Sequence, residues 1–229
     1  MPIHRVYNFL QEGGPIMWPL LGLSVATIAC AMEHGWFWYH LLRQEGKIVN
    51  DVLEAARVDL DKAASIAYKA QSLAIGRYLL APLKLRNPTP ETFRLALEAA
   101  GDKEFVQMRK GDKLLETVVG IAPLLGLLGT VLGLITTFNN LNVGGGGTSD
   151  GATKAAAGIG EALIATATGM IVAILALAFF RVFVTLQSNQ VDYFSEVGSE
   201  LELIYRQFWC ESATNNQDLK ITKRQSVEY

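Results

Sequence analysis

The chain has 229 residues, of which 50% are hydrophobic and only 18% charged, with a mean hydropathy of +0.24. A net charge of −2 without an aromatic-interleaved basic patch argues against nucleic-acid binding. The histidines His4, His34 and His40 and the distant cysteines Cys30 and Cys210 have neither metal-ligand nor redox spacing, so no metal and no cofactor are expected and both thiols read as free.

In chain order, residues 1–14 are short and mixed in character. Pro15–Ala31 is uncharged and 17 residues long, near the lower limit for a membrane-spanning helix. Trp36, Phe37, Trp38 and Tyr39 follow as an interfacial aromatic belt, which closes a first span over 15–35. Ala29-Cys30-Ala31 looks like a signal-peptide cleavage site. The preceding region, with one arginine, one glutamate and two prolines, is a poor match to that alternative.

Residues 36–117 carry mixed charges and helical apolar spacing, and predict a helical domain outside the membrane. One amphipathic helix is expected over Leu41–Leu80, ended or kinked by Pro82. After the break Asn87-Pro88, Thr89 is placed to cap a second helix with Pro90 at its first position. That helix is expected to run toward Leu115, with Gly101 and Gly111 as weak points. No catalytic constellation is visible, so the chain is not expected to be an enzyme.

A second span covers 118–141, an uncharged run that contains Pro123, which a membrane helix tolerates. Gly126, Thr130, Gly133 and Thr137 share one helical face, and Gly129 with Gly133 makes a G-x-x-x-G. Small residues of this kind let helices approach closely in lipid. Residues 142–154 form a glycine-rich connector. Gly146 and Gly151 have phosphate-loop spacing, but Ala152-Thr153 follows them instead of Lys-Ser/Thr. A connector this short makes the flanking spans antiparallel neighbours.

The third span, 155–181, contains one ionisable side chain inside its apolar run, Glu161, about 9 Å from the start at ~1.5 Å per residue. A carboxylate at membrane depth is costly and marks a functional site by default. Glu161, Ala165, Thr168 and Val172 share a face, while Ala165, Gly169 and Ala173 form a small-residue ridge. The spans offer no counter-charge, because Arg181 lies 20 positions on, so Glu161 is expected to face water or another chain. Helical spacing continues through 182–210, and 211–229 is polar and expected to be flexible.

Thirteen of the 20 Lys and Arg residues lie between the first two spans, and the connector holds only Lys154. The positive-inside rule then puts the N-terminus outside, 36–117 inside, the connector outside and the C-terminus inside. The expected fold is an all-α membrane protein. Its three transmembrane helices continue as amphipathic helices into a cytoplasmic helical domain.

Ile121–Phe138 (IAPLLGLLGTVLGLITTF) together with Gly158–Ala176 (GIGEALIATATGMIVAILA) resembles the paired signature of the MotA/TolQ/ExbB proton-channel family. Gly13–Ser24 resembles the first span of ExbB-type members, and three spans match the ExbB/TolQ layout better than the four of MotA-type flagellar stators. The resemblance implies a subunit of a proton-motive-force-driven motor in the bacterial inner membrane. It implies a homo-oligomer, a pentamer, around an ExbD/TolR-like single-span protein that carries a membrane aspartate. It also implies a TonB/TolA-like transducer that passes the work to outer-membrane transport or envelope processes. By motif, Glu161 matches the acidic residue of span three, and Thr130 and Thr166 match the threonines lining the polar path. Gly126, Gly129, Gly133, Ala165, Gly169 and Ala173 are the helix-packing positions. The competing classes are a non-conducting membrane scaffold, a MotA-type stator subunit, and an unrelated small transporter, against which no inverted repeat is visible.

Overall fold

The computed structural model describes residues 7, 13–43, 45–143 and 149–210. The flexible tail expected over 211–229, most of the N-terminal segment and the centre of the glycine-rich connector lie outside the described residues. Seven α-helices are present among the described residues: α1 Met17–Leu42, α2 Glu45–Ala56, α3 Leu60–Lys69, α4 Ala74–Leu83, α5 Pro90–Met108, α6 Asp112–Val143 and α7 Ser149–Tyr205. A π-helical turn, Arg206–Cys210, closes α7. No strand occurs among the described residues. Three helical stretches, within Met17–Ala56, Pro90–Asn139 and Thr153–Trp209, are long and apolar enough to cross a membrane, with mean hydropathies of 1.3, 2.3 and 2.4.

Leu41–Leu80 is not one helix: beyond the end of α1 it holds the three helices α2, α3 and α4. Asp59 breaks the run by capping α3, its side chain accepting from the Asp61 and Lys62 amides at 2.8 and 3.2 Å. A second break follows Ala70, and α4 starts at Ala74 next to Gly76, where a Cβ would collide with the Ala70 carbonyl. Pro82 lies in the last turn of α4. Thr89 caps α5 with Pro90 at the first helical position, accepting from the Thr92 amide at 3.2 Å. The helix stops at Met108, short of Leu115. Gly111 there adopts φ +91, the left-handed region that glycine enters without a Cβ penalty.

The chain divides into two compact units. One comprises residues up to Gly35 with Gly111–Val184, and so holds the apolar stretches of α1, α6 and α7. Its core is Met17, Leu20, Val118, Ala122, Val172, Ala173 and Ala176. The Gly111 turn packs here against α1, where a Cβ would meet His34 and Cys30. Cys30 is buried and free. Cys210 lies where no side chain is described. His34 is buried against Phe183, with ring centroids 5.2 Å apart.

The other unit comprises Trp36–Lys110 and residues from Thr185 on. Its core centres on Ile75, Leu79, Phe93, Phe194 and Leu201. Phe93 stacks on Tyr205 at 4.3 Å, and Phe194 contacts both Tyr78 and Phe105. Of the aromatic belt, Trp36, Phe37 and Tyr39 are exposed and Trp38 is buried.

The Tyr78 hydroxyl donates to the Phe194 carbonyl at 2.9 Å. Burial, reinforced by the charges of Glu98 and Glu202, pushes its phenol up to about 12 from the ordinary 10.0. The folded chain therefore holds this proton more tightly than the unfolded chain. The stability this adds is complete below pH 10 and is lost as pH rises through about 12. In alkaline melting curves, wild type should lose stability more steeply above pH 10 than Tyr78→Phe, which has no phenol to ionise. Parallel curves would refute this.

Candidate functional site

The site is built where α6 and α7 pack through small residues. Glycine and alanine remove the side-chain volume that normally holds helices apart. The buried stripe of α6 is Ala122, Gly126, Gly129, Gly133 and Thr137. Opposite it, α7 buries Ala155, Gly158, Ala162, Ala165, Gly169, Ala173 and Ala176. A Cβ on Gly126 would stand 3.1 Å from the Thr166 Cα, and one on Gly129 would stand 2.5 Å from the Ala165 Cβ. A Cβ on Gly133 would stand 2.9 Å from both the Ala162 Cβ and the Gly158 carbonyl. Ascending α6 thus descends α7, so the two helices are antiparallel.

Gly169 is the tightest of these positions against backbone. A Cβ there would lie 2.6 Å from the Ala122 carbonyl and 3.0 Å from the Gly126 Cα, neither of which can rotate away. Gly169→Ala should therefore destabilise the folded chain by about 1–3 kcal/mol, as overpacking does. Gly160, whose Cβ would meet open space, is the comparison. Gly160→Ala should be neutral or stabilising by up to ~1 kcal/mol through helix propensity. Thermal unfolding in detergent reads both, and equal melting temperatures for the two variants would contradict the packing account.

The threonines divide by what their hydroxyls do. Thr166 donates across the interface to the Gly126 carbonyl at 2.9 Å, fastening α7 to α6. Thr130 is half-buried at the edge of the α6 stripe and donates to its own helix at the Leu127 carbonyl, 2.6 Å away. Thr137 is buried and donates to the Gly133 carbonyl at 2.9 Å, with the Ala155 carbonyl at 3.5 Å. Each hydroxyl keeps its lone pairs as acceptors. Thr168 is also half-buried and donates to the Ile164 carbonyl at 2.8 Å.

Glu161 is half-buried, one position before the buried Ala162. It makes no ion pair among the described residues. Its carboxyl lies against the backbone of Gly14, in the turn that starts α1. Part of its surroundings is thus the turn that leads into α1, which the sequence did not suggest. A glycine pair ahead of a span reads as an ordinary turn, and nothing local links it to α7.

The comparisons with known proteins agree with this architecture. Residues 70–196 match the model of the MotA/TolQ/ExbB proton channel family. The chain is 65% identical over 207 residues to putative biopolymer transport protein ExbB-like 1 of Synechocystis sp., covering 90% of this chain and 82% of that protein. It is 37% identical over 198 residues to ExbB-like 3 of the same organism, covering 86% and 94%. The Tol-Pal system protein TolQ of Haemophilus influenzae is 32% identical over 144 residues, covering 60% of this chain and 61% of that protein. Three apolar helices, a small-residue α6–α7 interface with one carboxylate beside it, and these similarities lead to one conclusion: the chain belongs to the MotA/TolQ/ExbB proton channel family and is of the ExbB/TolQ type.

Proposed function

We propose that the chain is the channel-forming subunit of a proton-driven motor in a bacterial inner membrane, with the N-terminus periplasmic and the C-terminus cytoplasmic. It works as a homo-oligomer around a single-span ExbD/TolR-like partner whose membrane aspartate exchanges protons. A TonB/TolA-like transducer carries the resulting work to outer-membrane transport or envelope processes. It is not an enzyme: no step needs a nucleophile or a bound metal. The observation that carries this reading is Glu161, a half-buried carboxylate within an apolar helix that has no ion pair among the described residues. Orientation follows from the thirteen Lys and Arg residues between the first two spans.

In this mechanism Glu161 either accepts the proton itself or stays charged and polarises the path for the partner's aspartate. Thr130 and Thr166 contribute hydroxyl lone pairs along that path, since a hydroxyl orients water and does not titrate near neutral pH. The driving force has the right scale, because one elementary charge crossing 100 mV delivers about 2.3 kcal/mol. Several such charges per step suffice to move packed helices.

The test is reconstitution of the full chain with its single-span partner into vesicles under an imposed proton gradient, with internal pH recorded. Proton entry that requires both proteins is expected. Assembly without entry would replace this reading with that of a scaffold that gathers single-span partners.

A further inference from the structure

The start of α1 bears on Glu161 in a way its span does not. Gly13 and Gly14 form the turn that leads into α1, with the Met17 amide donating to the Gly14 carbonyl at 3.1 Å. Gly14 has φ +71, a conformation that side-chain-bearing residues rarely adopt. A Cβ on Gly13 would stand 3.1 Å from the Ile164 Cγ2, and a Cβ on Gly14 would coincide with the Glu161 carboxylate. Glu161 and Ile164 are neighbours on one face of α7, so two separate contacts lay this turn on that face. Ile16 stands beside Gly129 of α6, so the segment leading into α1 reaches both helices at this level. Gly22, further along α1, would meet nothing within 4 Å if it carried a Cβ.

We infer that the Gly13–Gly14 turn is the seat of the Glu161 carboxylate, and that Gly14 is a positioning residue for proton transfer at Glu161. Glycine at 14 meets two demands at once. It takes the positive φ that turns the chain into α1, and it leaves the space the carboxyl occupies. The backbone lying on the carboxylate fixes the Glu161 rotamer. It also covers one side of the group, so protons and reagents reach it by fewer directions. The functional part of this inference rests on the channel reading above, while the contact itself is tested without it.

The contact is read by reaction of Glu161 with dicyclohexylcarbodiimide, which modifies protonated carboxyls in apolar surroundings. Labelling is followed by mass spectrometry on the purified full chain in vesicles. Gly14→Ala should expel the carboxylate from its seat and speed labelling about tenfold, equivalent to about 1.4 kcal/mol of lost seating. Gly22→Ala should label like wild type. In a Glu161→Asp background, whose side chain is one methylene shorter, Gly14→Ala should leave the labelling rate unchanged. Equal labelling of wild type and Gly14→Ala overturns the inference. So does the same acceleration in the Asp background, which would assign the effect to backbone strain at position 14. If Gly14→Ala does not fold, as judged by helix content and monodispersity, Gly14→Ala/Glu161→Asp should recover folding. A double variant that is equally unfolded also refutes the contact. Proton entry is recorded in parallel on vesicles that also hold the single-span partner. Absent wild-type entry counts against the channel reading alone and leaves the labelling result standing.

Discussion

Glu161→Ala is expected to abolish proton entry in the reconstituted vesicles, with helix content, membrane insertion and oligomer size unchanged. The two halves of that result come from different features. Entry should vanish because the other polar side chains described at this level of α6 and α7, Thr130 and Thr166, offer hydroxyls, which orient water and do not exchange protons near neutral pH. Assembly should survive because Glu161 lies beside the buried stripe and not in it. The residues that hold α7 to α6 are Ala162, Ala165 and Gly169, with the Thr166 hydroxyl on the Gly126 carbonyl. Glu161→Gln and Glu161→Asp show whether the acid itself is needed. Asp, which keeps a carboxyl, should retain part of the flux, and Gln, which neither exchanges a proton nor carries charge, should retain none. Normal proton entry in Glu161→Ala at wild-type protein level would remove Glu161 from the mechanism.

Arg77→Ala should clearly destabilise the unit formed by Trp36–Lys110 and residues from Thr185 on. Glu104 is buried, with its side chain 4% exposed, and both its oxygens are taken by Arg77: Nε donates to Oε1 at 2.8 Å and Nη2 to Oε2 at 2.6 Å. Arg77 Nη1 also donates to the Gln71 and Ser72 carbonyls at 3.0 Å, closing the turn between α3 and α4. Removing the guanidinium leaves a buried carboxylate without its partner, which costs about 3–5 kcal/mol in a fully buried pair. The Arg77 side chain is 39% exposed, so water screens part of this, and a loss of about 2–3 kcal/mol is expected. Arg77→Met/Glu104→Leu should be more stable than Arg77→Ala, because no charge is then stranded. Thermal unfolding of the three proteins provides the comparison. A melting temperature for Arg77→Ala within a degree or so of wild type would show that the pair does not hold this unit.

The difference between the two variants mirrors what each unit exposes in its sequence. A span declares itself by composition. Val118–Leu141 and Ala155–Phe180 carry no charge except Glu161, and a carboxylate there stands out against its neighbours. The small residues of α6 and α7 are also readable, because helical spacing alone assigns Gly126, Gly129, Gly133, Ala165 and Gly169 to faces. Which face is buried is another matter. Spacing groups Gly126 and Gly133 with Thr130, yet the buried stripe runs through Gly129 and leaves Thr130 at its edge. Outside the membrane the signal is weaker. Mixed charges and alanine fit one long helix as well as several short ones, and only the cap at Asp59 and the backbone approach of Ala70 to Gly76 divide Leu41–Leu80.

By itself the sequence determined the class of molecule: three apolar helices, one carboxylate deep within an apolar run, and small residues wherever two helices must touch. These follow from composition and periodicity, which are properties of a segment and its near neighbours. Only the tertiary structure decided what each polar group meets. It gave the Thr166 hydroxyl to the Gly126 carbonyl, the Glu104 carboxylate to Arg77 and the Glu161 carboxylate to the Gly14 backbone. A hydrogen bond or a steric seat is set within a few ångströms by packing between distant segments. Local spacing could place Glu161 on a face of α7, but the glycine that receives it lies at the other end of the chain.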